Sequence, residues 1–301
     1  MKILITGATG LLGKKLLIDL MKKGHTVIGV CRDRKKLIEL PHDQTYSWDA
    51  LSDKEFPIEA MKNCDAVIHL AGEPVAARRW NKDIKINILE SRTRGTEQIV
   101  SAMKKLKKSD QPSVFISGSA IGFYGDRGEQ TITESTSEGK DFLADVVEQW
   151  EYEAEKAREL GIRTVVLRTG IVLAKSGGAL KKMPPVVVGS GQNFMSWIHI
   201  QDWVNFVIES LDNLKIIGVY NLVSPNPVTQ TEFIKVLAGE KHVPVVMKVP
   251  QFVVSIALGE MAQVLLASQK VIPERILESG FKFKFPQIKA ALKEIYQSSS
   301  K

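Results

Sequence analysis

Short apolar runs alternate with longer segments of helical period through the first half of the chain. The apolar runs predict strands at Lys2–Thr6, Thr26–Cys31, Gln44–Trp48, Ala66–Leu70, Ser113–Ser117 and Thr164–Arg168. The longer segments repeat apolar residues at three- to four-residue spacing and predict helices at Leu11–Lys23, Lys82–Leu106 and Phe142–Leu160. Strands that alternate with helices of this length are typical of a parallel sheet covered on both faces. We therefore predict an α/β fold built on a doubly wound parallel sheet.

The second half has a different texture, because proline and glycine become frequent from about Gly170. Pairs such as Gly177-Gly178 and Pro184-Pro185 predict loops and small strands outside the main sheet. From about Thr229 to Tyr296, the pattern predicts short helices separated by prolines. We expect a Rossmann-type core over residues 1–170 and a smaller, mostly helical lobe over residues 171–301. The prediction allows residues 171–301 to contribute strands and helices to the core.

The stretch from Gln251 to Gln269 is the most membrane-like part of the sequence. Phe252, Ile256, Glu260 and Val264 recur every four residues within it. Because Glu260 stands at its centre and a proline precedes it, a membrane span is not predicted. The helical spacing predicts a buried or interface helix, and we favour packing against the core over contact with a membrane.

Composition narrows the class of protein further. The 301 residues are 44% hydrophobic and 25% charged, which is usual for a folded globular protein and excludes collagen, a disordered tail or a disulfide scaffold. Cys31 and Cys64 are too few for a disulfide framework or a zinc site, and we predict no metal site. The first residues reach a glycine turn too soon for a signal peptide, so a cytoplasmic protein is expected.

Positive charge is concentrated near the N-terminus. The chain carries a net charge of +7, and residues 1–110 alone hold 21 basic against 14 acidic side chains. An anionic partner is therefore expected there, and nucleic acid, anionic lipid and a phosphorylated cofactor are the candidates. Because no nucleic-acid module is recognisable in the sequence, we favour the cofactor.

A glycine motif joins the first predicted strand to the first predicted helix. It reads Gly7-Ala8-Thr9-Gly10-Leu11-Leu12-Gly13, a G-x-x-G-x-x-G pattern. The first two glycines let the backbone approach a pyrophosphate, and the third lets the helix pack close to the strand. The free N–H groups of the helix start bind phosphate. In this context the motif predicts a dinucleotide site, whose candidate contacts are Gly7, Thr9, Gly10, Leu11, Leu12 and Gly13.

The end of the second predicted strand decides between NAD and NADP. An acidic residue there would bind the ribose hydroxyls of NAD, but Cys31 occupies this position and Arg32 follows it. A guanidinium stacks on adenine and pairs with a 2′-phosphate, which a carboxylate would repel. Asp33 could serve NAD if the loop were shifted by two residues. We predict NADP as the cofactor, with Arg32 as its ligand, and NAD as the alternative.

Four further motifs accompany the glycine loop: His69-Leu70-Ala71-Gly72, Ser117-Gly118-Ser119-Ala120-Ile121-Gly122-Phe123-Tyr124-Gly125, Leu167-Arg168-Thr169-Gly170 and Trp197-Ile198-His199-Ile200-Gln201-Asp202. With them, essentially the whole chain resembles the extended short-chain dehydrogenase/reductases, the NAD(P)-dependent epimerase/dehydratase superfamily. The stretch with Gly259-Glu260, Pro273 and Gly280-Phe281 resembles the bacterial subgroup called epimerase family proteins. The resemblance implies that Asp49 binds the adenine amino group and that Leu70, Ala71 and Gly72 line the adenosine and pyrophosphate. Asn87 resembles the asparagine that stabilises the central sheet near the active site.

The chain departs from the superfamily at the catalytic position. In the superfamily a Tyr-x-x-x-Lys helix supplies the proton, and a Ser or Thr polarises the substrate carbonyl. Ser119 matches the serine, but Phe142 and Val146 stand where the tyrosine and lysine are expected. Because neither of these side chains transfers a proton, another acid is needed.

Several residues are candidates for that acid. Tyr124, close to Ser119, is our candidate, and Asp145 and Glu148 are less favoured alternatives. One literal Tyr-x-x-x-Lys, Tyr152 with Lys156, lies in a run of Glu148, Glu151, Glu153 and Glu155, so we interpret it as part of a solvated face. His69 lies in a predicted buried strand and is interpreted as a core imidazole rather than a base.

The sequence therefore favours an NADP-dependent oxidoreductase or epimerase-like enzyme that acts on a small carbonyl or nucleotide-linked substrate. Arg168 could take an anionic group of that substrate, and Arg78, Arg79 and Trp80 could grip a phosphate or form a surface cluster. Because the standard catalytic pair is missing, a non-catalytic NADP-binding regulator or redox sensor is the alternative. We expect a small-molecule substrate, no nucleic-acid or membrane partner, and a monomer or homodimer.

Overall fold

The computed structural model of the chain describes residues 1–37, 40, 42–175, 177–244 and 247–297. Its strands are β1 (Lys2–Thr6), β2 (Thr26–Cys31), β3 (Gln44–Ser47), β4 (Ala66–His69), β5 (Val114–Ala120), β6 (Thr131–Ile132), β7 (Arg163–Thr169), β8 (Ile171–Leu173), β9 (Val186–Val188), β10 (Phe194–Met195), β11 (Trp197–His199), β12 (Gly218–Leu222), β13 (Val228–Thr229), β14 (Met247–Val249) and β15 (Lys270–Val271). Its helices are α1 (Leu11–Lys22), α2 (Lys82–Lys105), α3 (Phe142–Glu159), α4 (Gly178–Lys182), α5 (Ile200–Asp212), α6 (Gln230–Glu240), α7 (Gln251–Leu258), α8 (Gln263–Leu266), α9 (Glu274–Glu278) and α10 (Ile288–Gln297).

Seven parallel strands form the central sheet in the order β12-β7-β5-β4-β1-β2-β3. The chain runs from β1 to β2 and β3 on one side and then crosses to β4 on the other side of β1. The strand order therefore reverses between β1 and β4, and doubly wound sheets bind ligands in the crevice at such a reversal. The structure confirms the predicted fold class, and the six strands predicted from the sequence all lie in this sheet.

Helices cover both faces of the sheet, because successive residues of a strand point to opposite sides. On β1, Ile3 and Ile5 pack with α1 and α5, whereas Leu4 packs with α2 and α3. Both layers consist mainly of fully buried aliphatic side chains, and truncating one such side chain to alanine typically costs about 2–5 kcal/mol. The loops at the carboxyl ends of the strands are therefore held on a rigid base.

The C-terminal part returns to the core through α5, through β12 and through Ile276 and Phe281. α5 packs with α1 on one face of the sheet, and β12 pairs with β7, with Leu222 opposite Thr169. The other C-terminal segments include a separate apolar cluster that contains Trp197, Phe233 and Leu292. β12 is absent from the strands predicted above, and it lies in the part of the chain where the sequence predicts loops and small strands outside the main sheet.

The prediction of core packing for residues 251–269 is wrong for α7 and α8, although Ala262 and Ser268 are buried. α7 ends at Gly259, whose φ is +59°, and the stretch continues as a turn and the short helix α8. Phe252 and Ile256 are 65% and 71% exposed, and neither α7 nor α8 contains a buried residue. Periodicity shows which residues share a face but not what covers that face. No described helix is long and apolar enough to cross a membrane.

Candidate functional site

Close backbone contacts shape the glycine loop between β1 and α1. Gly7 has a φ of +68°, and a Cβ there would lie 2.8 Å from the carbonyl carbon and oxygen of Leu70. A Cβ on Gly13 would collide with the carbonyl oxygen of Gly7. Gly10 is the N-cap of α1, which has no side-chain cap and no acidic residue in its first turn. The first N–H groups of α1 therefore lack a side-chain acceptor, as an anion site requires.

Thr6 joins the glycine loop to the loop that follows β4. Its Oγ1 accepts hydrogen bonds from the N–H groups of Leu70 and Ala71, at 3.2 and 3.3 Å, and lies 2.6 Å from His69 Nδ1. Burial, with a smaller contribution from Arg92, lowers the pKa of His69 to about 3. The imidazole is therefore neutral near pH 7. His69 is fully buried, as the sequence interpretation expects, but its Nε2 has no hydrogen-bond partner among the described residues.

The predicted adenosine contacts lie at the carboxyl ends of β2 and β3. Arg32 follows β2 with 60% of its side chain exposed, and its guanidinium pairs with Glu73 from the loop after β4. The Asp33 carboxylate accepts the N–H of Lys35 at 3.0 Å and so caps its own turn. Asp49 is half-buried in the turn after β3. Among Arg32, Asp33 and Asp49, only Arg32 carries the positive charge that suits a 2′-phosphate.

A groove of about 300 Å³ joins the glycine loop to the end of β5. It lies at the reversal of strand order between β1 and β4. Its lining residues come from strand ends and from α1, α3 and α5: Gly7, Gly10, Leu11, Leu12, Gly13, Leu70, Gly118, Ser119, Trp150, Thr169, Val172 and Trp203. The groove thus brings Ser119 together with most of the predicted pyrophosphate contacts. Arg32, Asp49 and Tyr124 do not line it.

Ser119 is connected to a buried ion pair. Its Oγ donates to Glu151 Oε1 at 2.5 Å, and Arg168 donates to both Glu151 oxygens, from Nε at 2.8 Å and from Nη2 at 2.7 Å. Nη1 of Arg168 donates to the Tyr124 hydroxyl at 2.9 Å, and that hydroxyl donates to Asn221 Oδ1 at 2.6 Å. None of the five residues is more than 8% exposed. A hydrogen-bonded chain therefore runs from the groove at Ser119 into the interior.

The partners of Arg168 correct its predicted role. Its guanidinium lies 3.4 Å from the centroid of the Phe123 ring and is neutralised by Glu151. Burial lowers the pKa of Arg168, but the hydrogen bonds and charge of Glu151 outweigh that effect and the net shift is upward. The charge is therefore not available to an anionic substrate group. Burial raises the pKa of Tyr124, so its phenol is protonated near neutral pH. Its role as an acid stays a prediction.

At the start of α3, apolar side chains occupy the positions where the superfamily has its tyrosine and lysine. Phe142 stands edge-on to Trp80 with ring centroids 5.2 Å apart, and Val146 is buried in the same cluster as Ile88. One turn after Val146, Trp150 forms part of the groove wall. No proton donor therefore replaces the missing tyrosine at its own position.

The literal Tyr-x-x-x-Lys pair lies on the solvent side of α3, as predicted. Tyr152 is 66% exposed, and Lys156 Nζ lies 2.7 Å from Glu153 Oε1. Its neighbour Glu151, however, was assigned to the same solvated face, and that interpretation is wrong. Glu151 is 8% exposed because it follows Val147 by one helical turn and shares its buried face. The spacing of one helical turn from Val147 is the signal by which the sequence could have identified Glu151 as buried.

The role predicted for Asn87 is also wrong. Asn87 is exposed on α2, so it cannot stabilise the buried centre of the sheet. Ser91, one turn further along, and Thr96 are polar residues of α2 that do face inward, at 3% and 0% exposed, and Ser91 accepts the N–H of Glu73 at 3.0 Å. The resemblance places Asn87 on the helix after β4, but it does not determine which face of that helix points inward.

Known proteins similar to this chain agree on one family. Residues 3–159 match the model of the NAD dependent epimerase/dehydratase family, and residues 249–295 match a domain of unknown function, DUF1731. The chloroplastic epimerase family protein SDR39U1 homolog of Arabidopsis thaliana is 35% identical over 304 residues, covering 99% of this chain and 87% of that protein. The epimerase family protein YfhF of Bacillus subtilis is 33% identical and covers 98% of both chains.

Solved structures extend the comparison to three dimensions. The human epimerase family protein SDR39U1, crystallised with NADPH, is 32% identical with a TM-score of 0.86 and covers 99% of both chains. The UDP-glucuronic acid 4-epimerase of Bacillus cereus, in complex with UDP-glucuronic acid and NAD, has a TM-score of 0.78 at 20% identity. The second likeness bears on the fold alone.

Proposed function

The chain belongs to the NAD dependent epimerase/dehydratase family, and on that premise we propose that it is an NADP-dependent oxidoreductase of the epimerase type. Its substrate is a carbonyl compound or a nucleotide-linked molecule. The observation that carries the proposal is the single groove that contains both the uncapped start of α1 and Ser119. One cavity thus offers an anion site and a hydroxyl for substrate chemistry.

The residues of the groove fit a dinucleotide. A Cβ on Gly7 or Gly13 would collide with backbone, so glycine at these positions lets the loop turn tightly and lets α1 pack close to β1. The first turn of α1 offers N–H groups to the phosphates. The finer choice of NADP rests on Arg32, and it is supported by the NADPH in the similar human structure.

Ser119 and Glu151 supply the proton chemistry that the superfamily obtains from tyrosine and lysine. A bound nicotinamide supplies the exchange of a hydride with a substrate carbon. When Ser119 donates to Glu151, its oxygen lone pairs are left to accept the proton of a substrate hydroxyl. As the substrate carbonyl forms, Ser119 passes its own proton to the Glu151 carboxylate. In the reverse direction, the protonated carboxyl returns that proton through Ser119 to the carbonyl oxygen.

Arg168 and Tyr124 are positioning residues in this proposal. Arg168 holds both oxygens of Glu151, and Tyr124 holds Arg168 through its hydroxyl. Tyr124, the acid predicted from the sequence, therefore acts at one remove from the substrate. Two observations support this role: Tyr124 does not line the groove, and its hydroxyl is already bonded to Arg168 and Asn221.

Turnover of NADPH with a panel of aldehydes, ketones, quinones and nucleotide sugars tests the proposal. Ser119→Ala and Glu151→Gln should each lower kcat by about 10²–10⁴-fold, the usual contribution of a positioned proton-transfer group. The dissociation constant of NADP should change little in both variants. Glu155→Gln, which alters a carboxylate paired with Arg158 on the same helix, is the matched control. Turnover that survives Ser119→Ala unchanged would contradict the mechanism.

A regulator or redox sensor that binds NADP without turnover is the second candidate. It is favoured by Phe142 and Val146, which leave the usual catalytic position without a proton donor. Such a protein would distinguish NADP⁺ from NADPH by affinity and would consume neither with any carbonyl of the panel. Steady oxidation of NADPH by the wild-type chain excludes this candidate.

A further inference from the structure

A second cavity, of about 370 Å³, lies beside the starts of α2 and α3, and no residue lines both it and the groove. Its walls include two aromatic rings, two ammonium groups and one carboxylate: Trp80, Phe142, Lys82, Lys85 and Glu260. Apolar walls with a few convergent charged groups are typical of a small-molecule site. The proposed mechanism uses none of these side chains.

Lys85 is the charged centre of this cavity. Its Nζ lies 2.7 Å from Glu260 Oε2 and 4.6 Å from the centroid of the Phe142 ring. The Trp80 ring stands edge-on to Phe142, and its Nε1 already donates to the carbonyl oxygen of Val75 at 2.8 Å. The ammonium therefore rests against an aromatic wall and holds one carboxylate.

The carboxylate of this ion pair is open to solvent. The Glu260 side chain is 66% exposed, whereas that of Lys85 is 32% exposed. The turn that carries Glu260 is held by its neighbours, because Ala262 is buried and Met261 packs against the cluster that contains Trp80. An exposed ion pair contributes little to stability, so the Glu260 side chain can leave Lys85 at small cost without movement of the turn. A carboxylate from outside the chain can therefore take the place of Glu260.

We propose that this cavity binds a small organic carboxylate with a flat apolar body. The ligand carboxylate replaces that of Glu260 on Lys85, and the apolar body packs against Phe142 and Trp80. The chain itself shows the chemistry of the ligand, because Lys85 already holds a carboxylate at this place. Lys82, at the rim, adds a second positive charge that attracts an anion.

The ligand is the substrate, and in this respect the inference rests on the proposed function. Phe142 lines the cavity and Trp150 lines the groove, and eight residues of α3 separate them by about 12 Å. A molecule that is anchored at Lys85 and reaches the groove must span this distance. Phe142 then contributes to ligand binding, because it places an apolar ring against the ligand at the position where the superfamily has a proton donor.

Calorimetric titration with 2-naphthoate and with the uncharged 2-naphthalenemethanol tests the site. The wild-type chain should bind the carboxylate more tightly than the alcohol. Glu260→Gln should tighten naphthoate by about three- to fivefold, the size of an exposed ion pair, and Lys85→Gln should weaken it by about tenfold. Neither variant should change the affinity for the alcohol. Lys105→Gln and Glu55→Gln, which alter an exposed pair between α2 and the segment before β4, are matched controls and should leave both probes unaffected.

The proposal is wrong if neither the wild type nor Glu260→Gln prefers naphthoate to the alcohol, or if Lys85→Gln binds naphthoate as tightly as the wild type. The NADP dissociation constant of each variant is measured in parallel and reports a folded groove. A chain that shows the naphthoate pattern but binds no NADP retains the cavity and refutes the proposed function. A chain that binds NADP but lacks the naphthoate pattern refutes the proposed carboxylate site and leaves the proposed function standing.

Discussion

The groove presents different surfaces to a ligand at its two ends. At the glycine loop the surface is backbone, because Gly7 and Gly13 carry no Cβ and the start of α1 has no side-chain cap. At the other end the surface is a side chain, Ser119, whose orientation depends on Glu151 and Arg168 behind it. The first end offers backbone groups to a ligand because the glycines of a local motif carry no Cβ. The second works through partners that the fold brings together from distant segments.

Removal of Glu151 should disrupt the second end most severely. Glu151→Ala leaves the Arg168 guanidinium buried without its carboxylate, so we expect the free energy of unfolding to fall by about 3–5 kcal/mol. Glu155→Ala removes a solvent-facing pair on the same helix and should cost less than about 1 kcal/mol. Urea denaturation measures both. Equal losses would mean that the buried pair is no more important to the fold than the exposed one.

Gly13→Ala should disable the first end without unfolding the chain. The added Cβ collides with the carbonyl oxygen of Gly7, so the start of α1 must move away from the loop. We expect the dissociation constant of NADP to rise by at least about 100-fold, or about 2.7 kcal/mol. Gly239→Ala, where a Cβ meets no atom within 4 Å, is the control. Fluorescence titration with NADPH measures the change, and an affinity within threefold of wild type would refute the close-approach argument.

His69 is the buried titratable group of the first end, and it predicts a pH dependence. Its pKa is about 3 in the folded chain and 6.5 as a free side chain, so the unfolded state binds more protons as pH falls below about 6.5. The free energy of unfolding should therefore decrease by about 2 kcal/mol between pH 7 and pH 5. Urea denaturation of the wild type and of His69→Gln at both pH values isolates this loss. A loss of the same size in the variant would assign it to other groups.

Arg32→Gln should have a smaller effect, confined to one cofactor. We expect the dissociation constant of NADP to rise about tenfold, since an exposed guanidinium loses a charge-assisted contact with a phosphate. The affinity for NAD should stay within twofold. Glu73→Gln, which frees Arg32 from its partner, should tighten NADP slightly. Equal weakening of NAD and NADP in Arg32→Gln would show that Arg32 acts on a part common to both cofactors.

Much of the first end was predictable because its signals are local. An apolar strand, a glycine pattern and an amphipathic helix follow one another between Lys2 and Lys22, and the structure places them as the sequence implies. The parallel sheet was equally readable from the alternation of strands with helices. Both depend on residues that are neighbours in sequence.

The second end was only partly predictable because its contacts are not local. Ser119 can be identified from a motif, but its hydrogen bond to Glu151 depends on the rotation of α3 about its axis. Because the acidic residues of α3 are interpreted as one solvated face, the sequence does not identify Glu151 as buried. The same limitation explains Asn87, where the helix was predicted and its inward face was not. The exposed face of α7 shows the converse, since its apolar pattern does not reveal whether another element covers it.

The position of β12 at the edge of the central sheet affects how the chain folds while it is being synthesised. β7 pairs with β5 on one side as soon as both strands exist, but its other edge stays open until Gly218–Leu222 has been made. Unpaired strand edges invite contacts between chains. A nascent chain that ends shortly after Thr169 therefore exposes such an edge. The segment just after Thr169 is thus a poor place to cut or to fuse this protein.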